Sequence, residues 1–198
     1  MIDRFGLALV FVVGLLGQPG FASERSAQRD SVFVFGGVML DDHLTPRTFA
    51  PFASELEDNY IAGAAYERHL YELMAGFDLG LEVGVAGRFG DDSSLEAWLG
   101  PSIRHRGLMI GSLTVSPGVV VGFSAVSEAI GVERVREIRN DGDATLLFYL
   151  GPELAFKLEQ LPGYEFVFRV HHRSGADGIL GDMGEGHNAN MFGVRKRF

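Results

Sequence analysis

His172 and Ser174 stand two residues apart in the run 170–178, VHHRSGADG, at the end of a stretch whose alternate positions are apolar. Side chains at i and i+2 of an extended strand leave the same face, with about 6.6 Å between their Cα atoms. Imidazole and hydroxyl can therefore meet. A serine hydroxyl is a weak nucleophile near neutral pH until a neighbouring base takes its proton, so the pair has the makings of an ester-cleaving site. Taken alone, a His-x-Ser spacing is better read as the start of a solvated loop, because a short motif acquires meaning only from its surroundings. What matters is which elements hold the pair and which way it faces.

The N-terminus points to export. Arg4 precedes the apolar run 6–16, and Gly20-Phe21-Ala22 offers small residues of the kind a signal peptidase reads, so residues 1–22 are expected to be a cleaved signal peptide and 23–198 one domain. A membrane anchor is the alternative, but the run falls short of the roughly 20 apolar residues that a spanning helix needs. With no cysteine in the chain, disulfides cannot support an exported fold. The formal net charge of −9 leaves no basic stripe for nucleic acid. No later stretch is long and apolar enough for a transmembrane helix, so any membrane-spanning form must be a closed barrel that satisfies its own backbone.

Period-two alternation dominates the rest of the chain. In 77–89, Phe77, Leu79, Leu81, Val83, Val85 and Phe89 oppose Asp78, Glu82, Arg88 and small residues, and the same alternation recurs in 95–105, 113–124, 144–157 and 164–172. With strands at 31–40, 60–70 and 188–198 the chain makes about eight, each close to the length that crosses a bilayer at a tilt. The polar stretch 41–59 is a long loop, and 125–143, with mixed charges and the Asn140-Asp-Gly142 turn signal, reads as a solvated loop in preference to a short exposed helix. Long connections after strands one, five and seven contrast with short ones after two, four and six; the short one after strand three breaks the rule. A water-soluble sandwich or calyx would bury the apolar face instead. Opposed charges and small residues on the other face (Asp78, Glu82, Arg88, Glu96, Arg104, Glu153, Arg169) suit the narrow polar interior of a small membrane barrel better. The expected fold is all-β, an eight-stranded antiparallel transmembrane β-barrel in the cell outer membrane.

In the penultimate strand Tyr164, Phe166, Phe168 and Val170 form the lipid row, and continuing it brings His172 and Ser174 onto the outer wall beside a long loop. An imidazole facing lipid has no structural partner in prospect, whereas a lipid substrate would give it a use. Asn188 and Asn190 in the last strand share that face and can lie beside the pair.

Here the chain resembles the outer-membrane lipid A 3-O-deacylases and their acyloxyacyl-hydrolase-like relatives. The likeness rests on His172-Arg173-Ser174 leaving a penultimate strand, the glycine-rich loop after it, the Asn-containing last strand, the terminal Phe198, and the pattern LLFYLGPELAF at 146–156. It spans the mature chain and is most specific in the last third. The resemblance implies an eight-stranded barrel that removes an ester-linked acyl chain from lipopolysaccharide on its outer wall, with Ser174 as nucleophile and His172 as base. It implies lipid A in the outer membrane as partner; beside it, the charge leaves no nucleic-acid partner, and no cofactor or metal is expected, for a monomer or homodimer. The family's acid falls near the start of the last strand, where this chain has Asn188; Glu185 is the nearest carboxylate and Asp182 the next. Either Glu185 folds onto His172, or Asn188 orients it, as an asparagine can, or the barrel has weak or altered activity; the competing reading is a non-enzymatic small outer-membrane barrel, structural or adhesive. The family's asparagine after the serine is Gly175 here. The glycine-rich loop, with Gly175 and Gly178, could hold an oxyanion on its amides, with Asn190 toward the substrate. Two thinner signals are Asp41-Asp42-His43, better read as a solvated loop edge than as metal ligands, and Arg134, Arg136 and Arg139, better read as solvated than as phosphate ligands.

Overall fold

Alternation of apolar and polar residues becomes eight long strands and one short one in the computed structural model, which describes residues 30–50 and 53–198. The expected signal segment lies outside these residues. The strands are β1 (Asp30–Leu40), β2 (Leu56–Glu72), β3 (Phe77–Phe89), β4 (Ser93–His105), β5 (Leu108–Ile110), β6 (Leu113–Val126), β7 (Leu146–Leu158), β8 (Tyr164–Ser174) and β9 (Glu185–Arg197). Each long strand pairs antiparallel with its neighbours, β1 pairs with β9, and β4 pairs with β6, so the sheet closes on itself as an eight-stranded barrel. The three-residue β5 is a side piece on β6 that the alternation did not signal.

Closure puts the two faces of every strand in different solvents. Along β4 exposed and buried residues alternate almost end to end. The outward row, including Val83, Val85, Leu95, Leu99, Phe123 and Phe166, leaves large apolar side chains uncovered. Such a belt on a closed barrel belongs in lipid. Among the described residues no helix is long and apolar enough to cross a membrane, so the strands do the crossing.

The inward row is charged and neutralises itself. Arg169 bonds Glu82 at 2.6 Å and Glu153 at 2.7 Å, Arg195 bonds Glu153 at 2.8 Å, and Arg104 reaches Glu67 at 2.5 Å, Glu82 at 3.0 Å and also Glu153. Buried charges of this kind persist only when each is paired. Above this layer Trp98 packs against Phe35, Tyr149 and His171 and donates its indole N–H to Glu82 at 3.0 Å. Gly84 makes room for it: a Cβ there would lie 2.1 Å from the indole ring.

Both chain ends of the barrel meet at one rim, where Asp30 and Phe198 exchange backbone hydrogen bonds at 3.1 and 2.9 Å. The described residues of the three long connections, 41–50 with 53–55, 127–145 and 175–184, lie at the opposite rim, as the alternation of loop lengths predicts. One expectation is corrected. Residues 131–140 are not a loop but the helix α1 (Gly131–Asn140), which seats on the open end of the barrel. Its mixed charges are divided by burial: Glu133 and Arg136 turn inward, while Arg134 and Arg139 stay exposed. The Asn140-Asp-Gly signal is the helix cap, with Asp141 left-handed at φ 51° and the Gly142 N–H donated to Glu137 O at 3.0 Å.

Candidate functional site

Parity sorts the two adjacent histidines of β8. His171 points into the barrel, where its Nε2 meets Glu96 Oε1 at 2.7 Å. His172 belongs to the other row, which begins with the exposed Tyr164 and Phe166 and ends buried, Val170 at 1% and His172 at 8% exposure. The row faces outward as its register predicts, yet its upper end does not meet open lipid. The first loop folds over it: a 3-10 turn at Pro46–Phe49 packs on β9, the Asp42 carbonyl accepts from Asn188 Nδ2 at 2.7 Å, and the Leu44 N–H reaches both Glu185 oxygens at 3.2 Å.

These contacts decide the state of His172. Because the Asn188 NH2 must donate to the Asp42 carbonyl, its Oδ1 is the acceptor facing His172 Nδ1 at 2.6 Å. An acceptor there requires the proton on Nδ1, and a neutral imidazole then carries a lone pair on Nε2. Among the described residues Nε2 has no hydrogen-bond partner. Chemically, an imidazole held in this way can accept a proton at Nε2, with an amide at the position where triads more often have a carboxylate.

Ser174 occupies the next outward position, opposite Glu185 across β9 and Phe148 across β7. Its Oγ donates to the Gly184 carbonyl at 3.0 Å and accepts the Ala176 N–H at 3.1 Å. The hydroxyl thus fastens the base of the loop, and reaching His172 takes a rotation about its Cα–Cβ bond. Glu185 is engaged elsewhere: His43 Nδ1 donates to it at 2.9 Å beside the Leu44 amide. Asn188, not Glu185, is the residue bonded to His172. Sequence reasoning missed this use of Asp42, His43 and Leu44; the run Asp41-Asp42-His43 was visible as polar chemistry, but its partners lie more than a hundred residues away.

The glycine-rich loop is tightly folded. The Gly175 N–H is donated to Gly184 O at 2.7 Å and the Gly178 N–H to Met183 O at 2.8 Å, so both amides are spent within the loop. A Cβ at Gly175 would lie 2.1 Å from Met183 O, so this path of the loop excludes an asparagine after the serine. Directly beyond it Ala176 and Asp177 are left-handed, φ 53° and 56°, a costly backbone for residues with a Cβ. Asn190 pairs with Val170 two positions further along β9. That register puts it four residues, about 13 Å, along the strand from Ser174, out of reach of an oxyanion formed at that hydroxyl. Its carboxamide is 1% exposed, and neither its oxygen nor its nitrogen has a partner among the described residues. At the far rim His69, Glu72 and Asp78 bring ligand atoms within 4.8 Å of one another, but Arg106 already bonds Glu72 at 2.9 Å and Asp78 at 3.1 Å.

No protein-family model matches the sequence, and no curated protein matches it either. Solved structures do match in shape. The outer-membrane enzyme PagL superposes with a TM-score of 0.53 at 14% identity, over 85% of this chain and 99% of that one. The Ail protein of Yersinia pestis gives 0.43 at 13% identity over 86% and 99%, and OprG of Pseudomonas aeruginosa 0.42 at 12% over 86% and 96%. At such identities the PagL likeness is one of fold, and with the closed sheet and its apolar belt it makes this chain an eight-stranded antiparallel barrel of the outer-membrane type.

Proposed function

We propose that the protein is an outer-wall esterase of the outer membrane that removes an ester-linked acyl chain from lipid A. The observation that carries the reading is His172 on the lipid-side row, its Nδ1 proton held by Asn188 and its Nε2 lone pair unspent, two residues from a serine hydroxyl. In this reaction Ser174 swings from the Gly184 carbonyl and attacks the acyl carbonyl while Nε2 takes its proton. The imidazolium returns that proton to the departing sugar oxygen. Water, deprotonated by the same nitrogen, then cleaves the acyl-serine and releases the fatty acid. Asn188 holds the ring throughout but stabilises the imidazolium less than a carboxylate would. An apolar outer wall beside the pair suits an acyl chain, and the first loop, which covers His172, must lift to admit it.

One observation favours a non-enzymatic barrel instead. The Ser174 hydroxyl has both its bonds within the loop, as a purely structural serine would. Mass spectrometry of lipid A incubated with the purified barrel separates the readings. Wild type is expected to lower the acyl count by one, and Ser174→Ala or His172→Ala to slow this by about 10³-fold or more while the barrel still folds. A Ser174→Ala protein that releases fatty acid at the wild-type rate, or a folded wild type that leaves the acyl count unchanged, overturns the proposal.

A further inference from the structure

We infer that Glu133 and Arg136 of α1 are positioning residues for the outer-wall pair, acting through the barrel wall on Arg173 and Gly186. The inference rests on the esterase reading for its kinetic consequence, but its geometry is independent of it.

Arg173 lies between His172 and Ser174 and points the opposite way. Its guanidinium, fully buried, bonds Glu133, Ser124 Oγ at 3.0 Å and the Ala144 carbonyl at 2.8 Å. Glu133, also fully buried, accepts from Arg88 at 2.7 Å as well. The strand segment that carries base and nucleophile is thus pinned from inside. The facing strand is pinned in the same way. Between His172 and Ser174 the β8–β9 register slips, so that two steps of β8 face three steps of β9, from Asn188 to Glu185. Such a bulge re-aims side chains, and here it sets Asn188 against His172 and Glu185 against Ser174. Its inner residues touch the helix and its network: Arg136 donates to the Gly186 carbonyl at 2.7 Å, and His187 Nδ1 lies 2.9 Å from Arg88 Nη2. A Cβ at Gly186 would lie 2.9 Å from Glu133 Oε1, 2.6 Å from Leu147 and 3.0 Å from the Arg173 carbonyl, so the bulge closes on the Glu133–Arg173 clamp without room for a side chain.

One helix therefore fastens both strands of the site at the residues next to its working side chains. Misplacing reacting groups by about 1 Å costs on the order of 10²-fold in rate. Loosening either grip should move the pair without removing any group that touches substrate.

The experiment compares Arg136→Met, Arg136→Lys and Glu133→Gln with wild type, all as full-length folded barrels in detergent. Kinetics are expressed per folded molecule, and the His172 Nδ1 proton is followed by NMR. Arg136→Met is expected to lower kcat about tenfold or more, to move KM by less than about threefold, and to shift or broaden the Nδ1 proton signal as the bulge relaxes. Arg136→Lys, which can still donate to the Gly186 carbonyl, should recover part of both. Glu133→Gln provides the second test should Arg136→Met not fold. Wild-type kcat with an unshifted signal in folded Arg136→Met or Glu133→Gln overturns the inference. A shifted signal in a protein whose wild type cleaves no ester upholds the positioning and overturns the esterase reading instead.

Discussion

Replacing Asn188 by leucine tests the orientation of His172 most directly. The two side chains are similar in size, so the change empties little space, yet it removes both polar contacts: the acceptor 2.6 Å from His172 Nδ1 and the donor 2.7 Å from the Asp42 carbonyl. The imidazole is buried, and an N–H left without a partner in such a place costs about 1–3 kcal/mol. The ring avoids that cost by turning or by moving its proton to Nε2, and either response removes the lone pair that would take the Ser174 proton. If the whole cost falls on the reacting arrangement, turnover drops about 5- to 150-fold, at one decade per 1.36 kcal/mol. Acyl release from lipopolysaccharide, normalised to the fraction of protein that migrates as a folded barrel on an unheated gel, measures it. Asn188→Asp keeps an acceptor for Nδ1 but loses the donor to the Asp42 carbonyl, so it should retain more turnover than Asn188→Leu. Folded Asn188→Leu at the wild-type rate would refute the view that Asn188 orients the base.

Other expectations concern the barrel that carries the site. Gly84→Ala drives a methyl into the Trp98 ring, which Phe35, Tyr149 and His171 prevent from moving; a loss of about 1–3 kcal/mol should appear as a lower urea midpoint in detergent. Arg169→Met leaves Glu82 and Glu153 short of a shared cation and should cost about 3–5 kcal/mol in the same titration, with little relief from salt because the pairs are buried. Asn190→Leu removes a buried carboxamide that bonds nothing among the described residues, so it should raise the urea midpoint, by about 1–3 kcal/mol in stability. An unchanged midpoint would mean that water or lipid satisfies the group.

Strand parity is a local property, and it was legible. The side-chain period of two told β3, β4, β6, β7 and β8 apart from their loops to within a few residues and sorted lipid-facing from inward-facing side chains, including His171 from His172. The same rule placed Asn188 and Asn190 on the face of the pair, and the opposed charges of the inward row signalled a polar interior. Those readings needed only the pleat of an extended chain and the length that crosses a bilayer.

What the loops do was not legible, because it depends on residues far apart in sequence meeting at one rim. The charges of residues 131–140 look solvated in one dimension; in three, Glu133 and Arg136 face a barrel mouth lined with Arg88, Arg173 and the Gly186 carbonyl, and that partnership makes a helix of the segment. The lipid row of β8 was readable, but its cover by the first loop was not, nor was the capture of Glu185 by His43 and Leu44. The decisive detail, which nitrogen of His172 carries the proton, depends on a chain of contacts running from Asp42 through Asn188. The sequence alone determined a barrel and the direction its His172 faces, since both come from a two-residue period. Only the tertiary structure decided which partner that histidine has, because a hydrogen bond is directional and short, and the carbonyl that fixes which way Asn188 points comes from Asp42, 146 residues away.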